Sequence, residues 1–388
     1  MINRVLEKKL KQLRKQFPVL TLTGPRQSGK TTLVKHAFND LEYVSLEDID
    51  NREFALEDPR GFLATYTKGV IIDEAQRVPG IFSYIQSIVD RHNKPGMFIL
   101  TGSQNFLLNE NISQTLSGRA AVLKLLPFSI EELAAASFDL KDYRTALFYG
   151  FYPRIYDFNI APGDWHPSYV QTYLERDVRQ VKKITDLALF QRFLRLCAGR
   201  TGQILNLSSL ALDCGVSHNT VNSWLSVLET SYIIFLLKPH HKNFNKRLIK
   251  MPKLYFFDPG LACYLLGIES EQQLQTHYLR GALFESMIIS EFFKYRFNRG
   301  RDSNCYFWRD KTGHEIDCII EDAGRLIPVE IKSGETVKSN FFDGLKYWNN
   351  LSGQSPEQSV LVYGGEKKEK RSSGTVLGWQ NTTDAFKY

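Results

Sequence analysis

The chain has 388 residues, 43% of them hydrophobic and 23% charged. This composition argues against a disordered or fibrous chain and leaves room for two or three domains. The net charge of +7 admits a polyanion partner without requiring one. The cysteines, Cys197, Cys214, Cys263, Cys305 and Cys318, are odd in number and form no CxxC pair, which argues against a disulfide framework and a zinc site and suits a reducing cytoplasm.

In chain order, Val5, Leu6, Leu10, Leu13 and Phe17 are spaced as one helix face among lysines and arginines. We expect a packed first helix here rather than one lying on a membrane. The longest apolar run, 232–237, is far too short to span a bilayer, so no membrane partner is expected. Residues 1–138 then alternate strand-like runs at 19–22, 43–45, 70–72, 98–101 and 122–125 with helical stretches. That alternation predicts an α/β domain with a mainly parallel sheet.

Gly24-Pro25-Arg26-Gln27-Ser28-Gly29-Lys30-Thr31 fits GxxxxGK[ST] and sits between an apolar strand and a helical segment at 32–38. Glycines let the backbone turn its N–H groups toward phosphate oxygens, and the following helix adds its positive end. The expected nucleotide cradle is Gly24, Pro25, Arg26, Gln27, Ser28, Gly29, Lys30, Thr31 and Thr32, with Lys30 on the β- and γ-phosphates and Thr31 on Mg²⁺. Val70-Ile71-Ile72-Asp73-Glu74 is a buried-type strand ending in two carboxylates. Asp73 would help hold Mg²⁺ and Glu74 would orient the attacking water. Alone, such a pair often only caps a helix; beside a P-loop it points to ATP hydrolysis. Ser103 or Gln104, after the strand at 98–101, is placed to hold the attacking water, with a helix cap by Ser103 weighed equally. Arg119 is either a surface residue or a group that reaches the nucleotide of a neighbouring copy in a homo-oligomer.

Together these stretches resemble a prokaryotic family of AAA-type ATPases that carry a C-terminal domain of unknown function. The resemblance rests on TGPRQSGKTTL at 23–33, IIDEAQRVP at 71–79, LTGSQNFLL at 100–108 and LSGRAAVLKLLPFS at 116–129. It continues through YLERDVRQV at 173–181, YFFDPGLACYLLGI at 255–268, GALFE at 281–285, HEID at 314–317 and PVEIKSG at 328–334. It implies an ATPase with nucleic-acid-type accessory domains. Glu175, Arg176 and Asp177 match the family's ERD stretch; their side chains would point apart on a helix, so we assign them to ion pairs.

Residues 139–278 read as a helical, winged-helix domain. Ser208 would cap one helix, Gly215 gives the turn, and Ser217 would cap a second helix bearing Val221, Trp224, Leu225 and Leu228. Strand-like runs at 233–237 and 253–257 follow. Between and beside them His240, His241, Lys242, Lys246, Arg247, Lys250 and Lys253 make a basic wing suited to phosphate contacts. Ser217, His218, Asn219, Thr220 and Asn222 are short and polar enough to face a groove of double-stranded DNA. A helical packing or oligomerisation module with a solvated basic loop is the alternative.

Residues 279–388 read as an α/β domain like the restriction endonucleases. After a helix come strands at 305–308, 316–320 and 326–331. Asp317 ends the HEID segment, and strand alternation puts Glu330 and Lys332 on one face; Glu285 lies upstream on the helix. Two or three acids and a lysine on adjacent strands suit metal-assisted phosphodiester cleavage, with a second Mg²⁺ or Mn²⁺ on Glu285, Asp317 and Glu330, and Lys332 steadying charge. The set resembles the PD-(D/E)xK nuclease fold, with Ile316-Asp317 in place of Pro-Asp. A salt-bridged surface strand is the plain alternative. Residues 351–388 are polar and hard to assign, and the charge run 366–371 reads as a solvated loop or tail. The expectation is a Mg-dependent ATP hydrolase acting on or regulated by DNA, or else an ATP-gated binding protein with an inactive nuclease fold.

Overall fold

The computed structural model describes residues 2–102, 114–138, 140–174, 186–241 and 248–388. The chain divides into two compact units: Met1–Phe128 with Thr230–Tyr232 and Arg296–Arg301, and Ser129–Glu229 with Ile233–Tyr295 and Asp302–Tyr388.

The first unit is built on a five-stranded sheet of β1 (Val19–Thr23), β2 (Glu42–Ser45), β3 (Val70–Asp73), β4 (Phe98–Thr101) and β5 (Ala120–Lys124). The order is β2-β3-β4-β1-β5 and every pairing is parallel. A parallel sheet must be covered on both faces, which is why its central strands are continuously apolar. On one face Leu20, Leu22, Ile71 and Ile99 meet Leu6 and Leu10 of α1 (Leu6–Arg14) and Leu33 and Val34 of α2 (Lys30–Ala37). On the other, Val70, Ile72, Phe98 and Leu100 meet Phe62 and Leu63 of the helix Pro59–Ala64 and Phe82, Ile85 and Val89 of the helix Ile81–His92. The first helix is therefore packed, as its apolar face requires. Val122 on the edge strand β5 is exposed. The register pairs Leu22 with Thr101 and Ile72 with Leu100, so the ends of β1, β4 and β3 stand in line.

In the second unit, the helices Leu207–Cys214 and His218–Thr230 are joined through Gly215 at φ 79°. Asn206 caps the first of them, accepting from Ser209 N at 3.0 Å, in place of the expected Ser208. Ser217 caps the second, accepting from Thr220 N at 3.1 Å. A two-stranded antiparallel ribbon follows, β6 (Ile234–Leu237) with β7 (Lys253–Phe256). The helix Arg280–Phe297 leads into a six-stranded mixed sheet. Its strands are β8 (Cys305–Arg309), β9 (Glu315–Asp322), β10 (Arg325–Lys332), β11 (Val360–Tyr363), β12 (Glu369–Arg371) and β13 (Gly374–Gly378), in the order β12-β13-β11-β10-β9-β8. Trp308, Trp348, Leu361 and Val376 fill one face.

The stretch 351–388 is thus woven into this sheet. The charge run is a correction to its sequence reading: residues 369–371 form the edge strand rather than a loop or tail. Charged side chains on an edge strand discourage pairing with another chain. Among the described residues no helix is long and apolar enough to cross a membrane.

Candidate functional site

The turn from β1 to α2 is held in an unusual backbone shape. Gly24 has φ 147° and lies so close to the Leu125 carbonyl that a Cβ would collide with it; Gly29 has φ 90°. Gln27 takes φ 59° although it is not glycine, a conformation that costs of order 1–3 kcal/mol and is held by its surroundings. Within the turn, Ser28 Oγ and Gln27 Oε1 are buried and have no hydrogen-bond partner among the described residues. Buried polar atoms are seldom left so; the Ser28 hydroxyl can donate to a phosphate oxygen, whereas the Gln27 amide oxygen can only accept. Lys30, buried at the first turn of α2, donates from Nζ to Gly24 O at 2.9 Å and Pro25 O at 2.7 Å. Arg4, also buried, donates to Ser28 O at 2.8 Å and Leu126 O at 2.6 Å, with its guanidinium over the Phe128 ring.

Two strands away, Asp73 gathers the rest of the site. Its Oδ2 accepts from Thr31 Oγ1 at 2.8 Å and from Tyr43 OH at 2.9 Å. Its Oδ1 accepts from Thr101 Oγ1 and from Glu74 N. The hydroxyl of Thr31 and the carboxylate of Asp73 meet as hard oxygen donors, a set that fits Mg²⁺. Burial, reinforced by Asp73, pushes the Tyr43 phenol well above its ordinary range, so it stays a neutral donor. Glu74 sits at φ 55° and accepts from Gln76 Nε2. Tyr43, Thr101, Gln76 and Arg4 escape sequence reasoning; only Thr101, a hydroxyl at the end of an apolar strand, carries a usable signal.

Thr32 is exposed at the start of α2. Ser103 and Gln104 lie outside the described residues. Arg119 donates to both carboxylate oxygens of Asp90 and to Ser117 O. Arg119 precedes β5, and its carbonyl accepts from Val19 N at the start of β1. That is the amino end of a parallel sheet, opposite the end that carries the turn, so Arg119 does not face the cradle of its own chain.

In the second unit the four acid and lysine positions read from the sequence do come together. Asp317 Oδ2 accepts from Ile331 N at 2.8 Å and Lys332 Nζ at 2.9 Å, and Lys332 also binds Glu330. Glu285 accepts from Tyr255 OH and, at 3.2 Å, from Lys253 Nζ; Lys253 in turn binds Glu315, which Arg309 also holds. Burial pushes Asp317 up, but Lys332 and Lys253 outweigh it and keep its carboxyl below the ordinary range. Burial, reinforced by Asp317, holds Glu330 well above that range. Burial also raises Glu285, against the pull of Lys253.

The acids are therefore met by two ammonium groups and a phenol. Among the described residues no group of three or more His, Cys, Asp or Glu is arranged to hold a metal. Lys253 lies against Glu285 and Glu315, and Lys332 against Asp317 and Glu330. Lys253 is the corrected residue: expected in a basic wing suited to phosphate contacts, it is 3% exposed. His240 is buried too, its N–H bonded to Phe307 O at 2.7 Å. His241 and Lys250 remain exposed, while Lys242, Lys246 and Arg247, like Glu175, Arg176 and Asp177, lie outside the described residues. On the helix His218–Thr230, Val221, Trp224, Leu225 and Leu228 are buried, and His218, Asn219 and Asn222 face solvent.

Three family models match in succession: an AAA domain over residues 16–134, and two domains of unknown function over residues 140–272 (DUF8612) and 280–381 (DUF4143). An uncharacterized protein of Mycobacterium tuberculosis is 29% identical over 331 residues, covering 84% of this chain and 73% of the relative. One from Methanocaldococcus jannaschii is 24% identical over 404 residues, covering 95% and 86%. Among solved structures, a Walker-type ATPase of Pyrococcus abyssi aligns at TM-score 0.44 and 14% identity, over 67% of this chain and 94% of that one. The AMPPCP-bound DnaA of Aquifex aeolicus aligns at TM-score 0.31 and 15% identity, over 58% and 86%. Residues 16–134 are thus similar in sequence to AAA domains and carry an α/β fold with a parallel sheet, while the C-terminal domain is a separate mixed sheet.

Proposed function

We propose that this chain binds and hydrolyses Mg-ATP in its first unit. The observation that carries the reading is the meeting of Thr31 and Asp73 at 2.8 Å beside a turn whose buried Ser28 hydroxyl lacks a partner among the described residues. The turn would hold the phosphates through its N–H groups, with Lys30 leaving the Gly24 and Pro25 carbonyls to bind them. Mg²⁺, when bound, neutralises charge on the β- and γ-phosphate oxygens; Thr31 and Asp73 would hold it. Tyr43 and Thr101 fix the Asp73 carboxylate, and Gln76 fixes Glu74, which would orient the attacking water. Ser103 is the second group proposed for that water. Arg119 would serve the nucleotide of another copy, which makes the active form a homo-oligomer.

The test is phosphate release by purified protein. Lys30→Ala and Glu74→Gln should each remove it, and the Gln variant should still retain nucleotide. Full activity in either variant would overturn the assignment.

For the second unit, the exposed His218, Asn219 and Asn222 support binding of double-stranded DNA by the second helix of the helix pair. The pairing of every acid in the cluster with a lysine, arginine or tyrosine favours the second of the two sequence readings, an ATP-gated binding protein whose nuclease-like domain does not cut. The five cysteines are free and buried, which suits a cytoplasmic protein.

A further inference from the structure

We propose that Arg4 is a positioning residue for nucleotide binding: it locks the plane of the peptide between Ser28 and Gly29, and so aims a phosphate-binding N–H. The inference rests on the reading of the turn as a nucleotide cradle and adds to it a residue from well outside the motif.

The argument starts from peptide geometry. A trans peptide is planar, so its C=O and N–H point in opposite directions. The carbonyl of Ser28 and the N–H of Gly29 belong to one peptide. Arg4 Nη1 donates to that carbonyl at 2.8 Å. The Gly29 N–H must then point away from Arg4. Gly29 lies at φ 90°, and glycine visits either sign of φ at little cost. Without a restraint this peptide can turn over, and the turned form presents a carbonyl oxygen where an anion needs a donor. A charged donor on the carbonyl holds one of the two orientations and strengthens the dipole of the whole peptide.

The other arm of the fork adds a second restraint. Arg4 Nη2 donates to Leu126 O at 2.6 Å. Next to it, the carbonyl of Leu125 lies where a Cβ on Gly24 would be. One buried side chain therefore ties the last part of the turn, at Ser28, to the segment that presses on its first residue, Gly24. The Phe128 ring, 4.8 Å from the guanidinium carbon, keeps the fork in place. Lysine has the charge but not the two-pronged geometry.

The experiment measures ATP and ADP affinity by fluorescence of a labelled nucleotide, with KM and kcat from phosphate release, on the full chain and on Arg4→Lys and Arg4→Ala. Losing a charged hydrogen bond of this kind should weaken both nucleotides by about ten- to a hundredfold. It should leave kcat at saturating ATP within about threefold, since the hydrogen bonds by which Arg4 would act go to the Ser28 and Leu126 carbonyls rather than to the reacting groups. Arg4→Lys should recover only part of the affinity. Millimolar ethylguanidinium should restore affinity to Arg4→Ala and leave the unsubstituted protein unchanged, a rescue that general loosening of the fold would not show. If either variant binds ATP as tightly as the unsubstituted chain, or loses kcat with KM unchanged, the positioning role is wrong while the cradle stands. If the unsubstituted chain binds no nucleotide, the cradle fails and Arg4 with it.

Discussion

Replacing Lys253 by methionine removes one charge from the middle of the buried acid cluster while roughly keeping the side-chain volume. At 3.2 Å from Glu285, and with an effective dielectric near 20, the attraction is about 5 kcal/mol. Taking the ammonium out of water offsets much of it. The acids it leaves behind have already been desolvated, so truncation of one partner in such a pair costs roughly 3–5 kcal/mol. For a unit of this size that lowers the melting temperature by roughly 10 °C.

The loss should also depend on pH. Burial already raises the Glu285 carboxyl while Lys253 holds it down; without Lys253 it rises further. The folded state then holds a proton that the unfolded chain, titrating near ~4.3, releases, and stability falls as pH increases. The variant should be closer to the unsubstituted protein at pH 5 than at pH 8. Removing both partners, in Lys253→Met with Glu285→Gln, should cost less than the single change. Urea unfolding followed by tryptophan fluorescence at the two pH values gives all three numbers. A Lys253→Met variant within about 1 kcal/mol of the unsubstituted protein, or equally destabilised at both pH values, would refute the picture of Lys253 as the internal counter-ion of the cluster.

Three other outcomes follow from the geometry. Gly24→Ala places a Cβ against the Leu125 carbonyl at a positive φ, and should abolish nucleotide binding in a calorimeter while leaving the second unit's unfolding unchanged. Incubation with plasmid DNA and Mn²⁺ should give no nicking above background, and Asp317→Ala and Lys332→Ala should not change that; nicking lost in both variants would establish the cutting site that the ion pairs argue against. Because Arg119 lies at the sheet end away from its own cradle, phosphate release per chain should rise with protein concentration, and Arg119→Ala should flatten that rise. A rate independent of concentration removes the trans role.

Much of the first unit is visible in the sequence because its chemistry is local. All five strands were placed within two residues of their bounds, since buried parallel strands read as apolar runs and the turn motif fixes its own frame. What stayed hidden was brought in from elsewhere: Arg4 from before α1 and Tyr43 from β2 reach the site only through the order of strands. The second unit shows the same limit from the other side. Asp317, Glu330 and Lys332 could be grouped from strand alternation on neighbouring strands. Lys253 could not, because its sequence neighbours, a basic run, suggested a wing suited to phosphate contacts, whereas β7 is buried along its whole length. The strands β11 and β13 are hidden in the sequence because β11 is a run of only four residues and β13, Gly-Thr-Val-Leu-Gly, has only two large apolar side chains between glycines and a threonine.

The first unit is stitched from three separate pieces of chain. Gly300 lies against Lys9 and Leu123, and the Lys124 ammonium sits over the Phe297 ring. The last piece, Arg296–Arg301, leaves the ribosome only after residues 129–295 have been made, a wait on the order of ten to thirty seconds at ordinary synthesis speeds. During that interval the nascent sheet keeps the surface around Leu123 uncovered, and it becomes a target for chaperones. A protein cut after residue 138 would stay in that unfinished state, so its failure to turn over nucleotide would say nothing about the intact molecule.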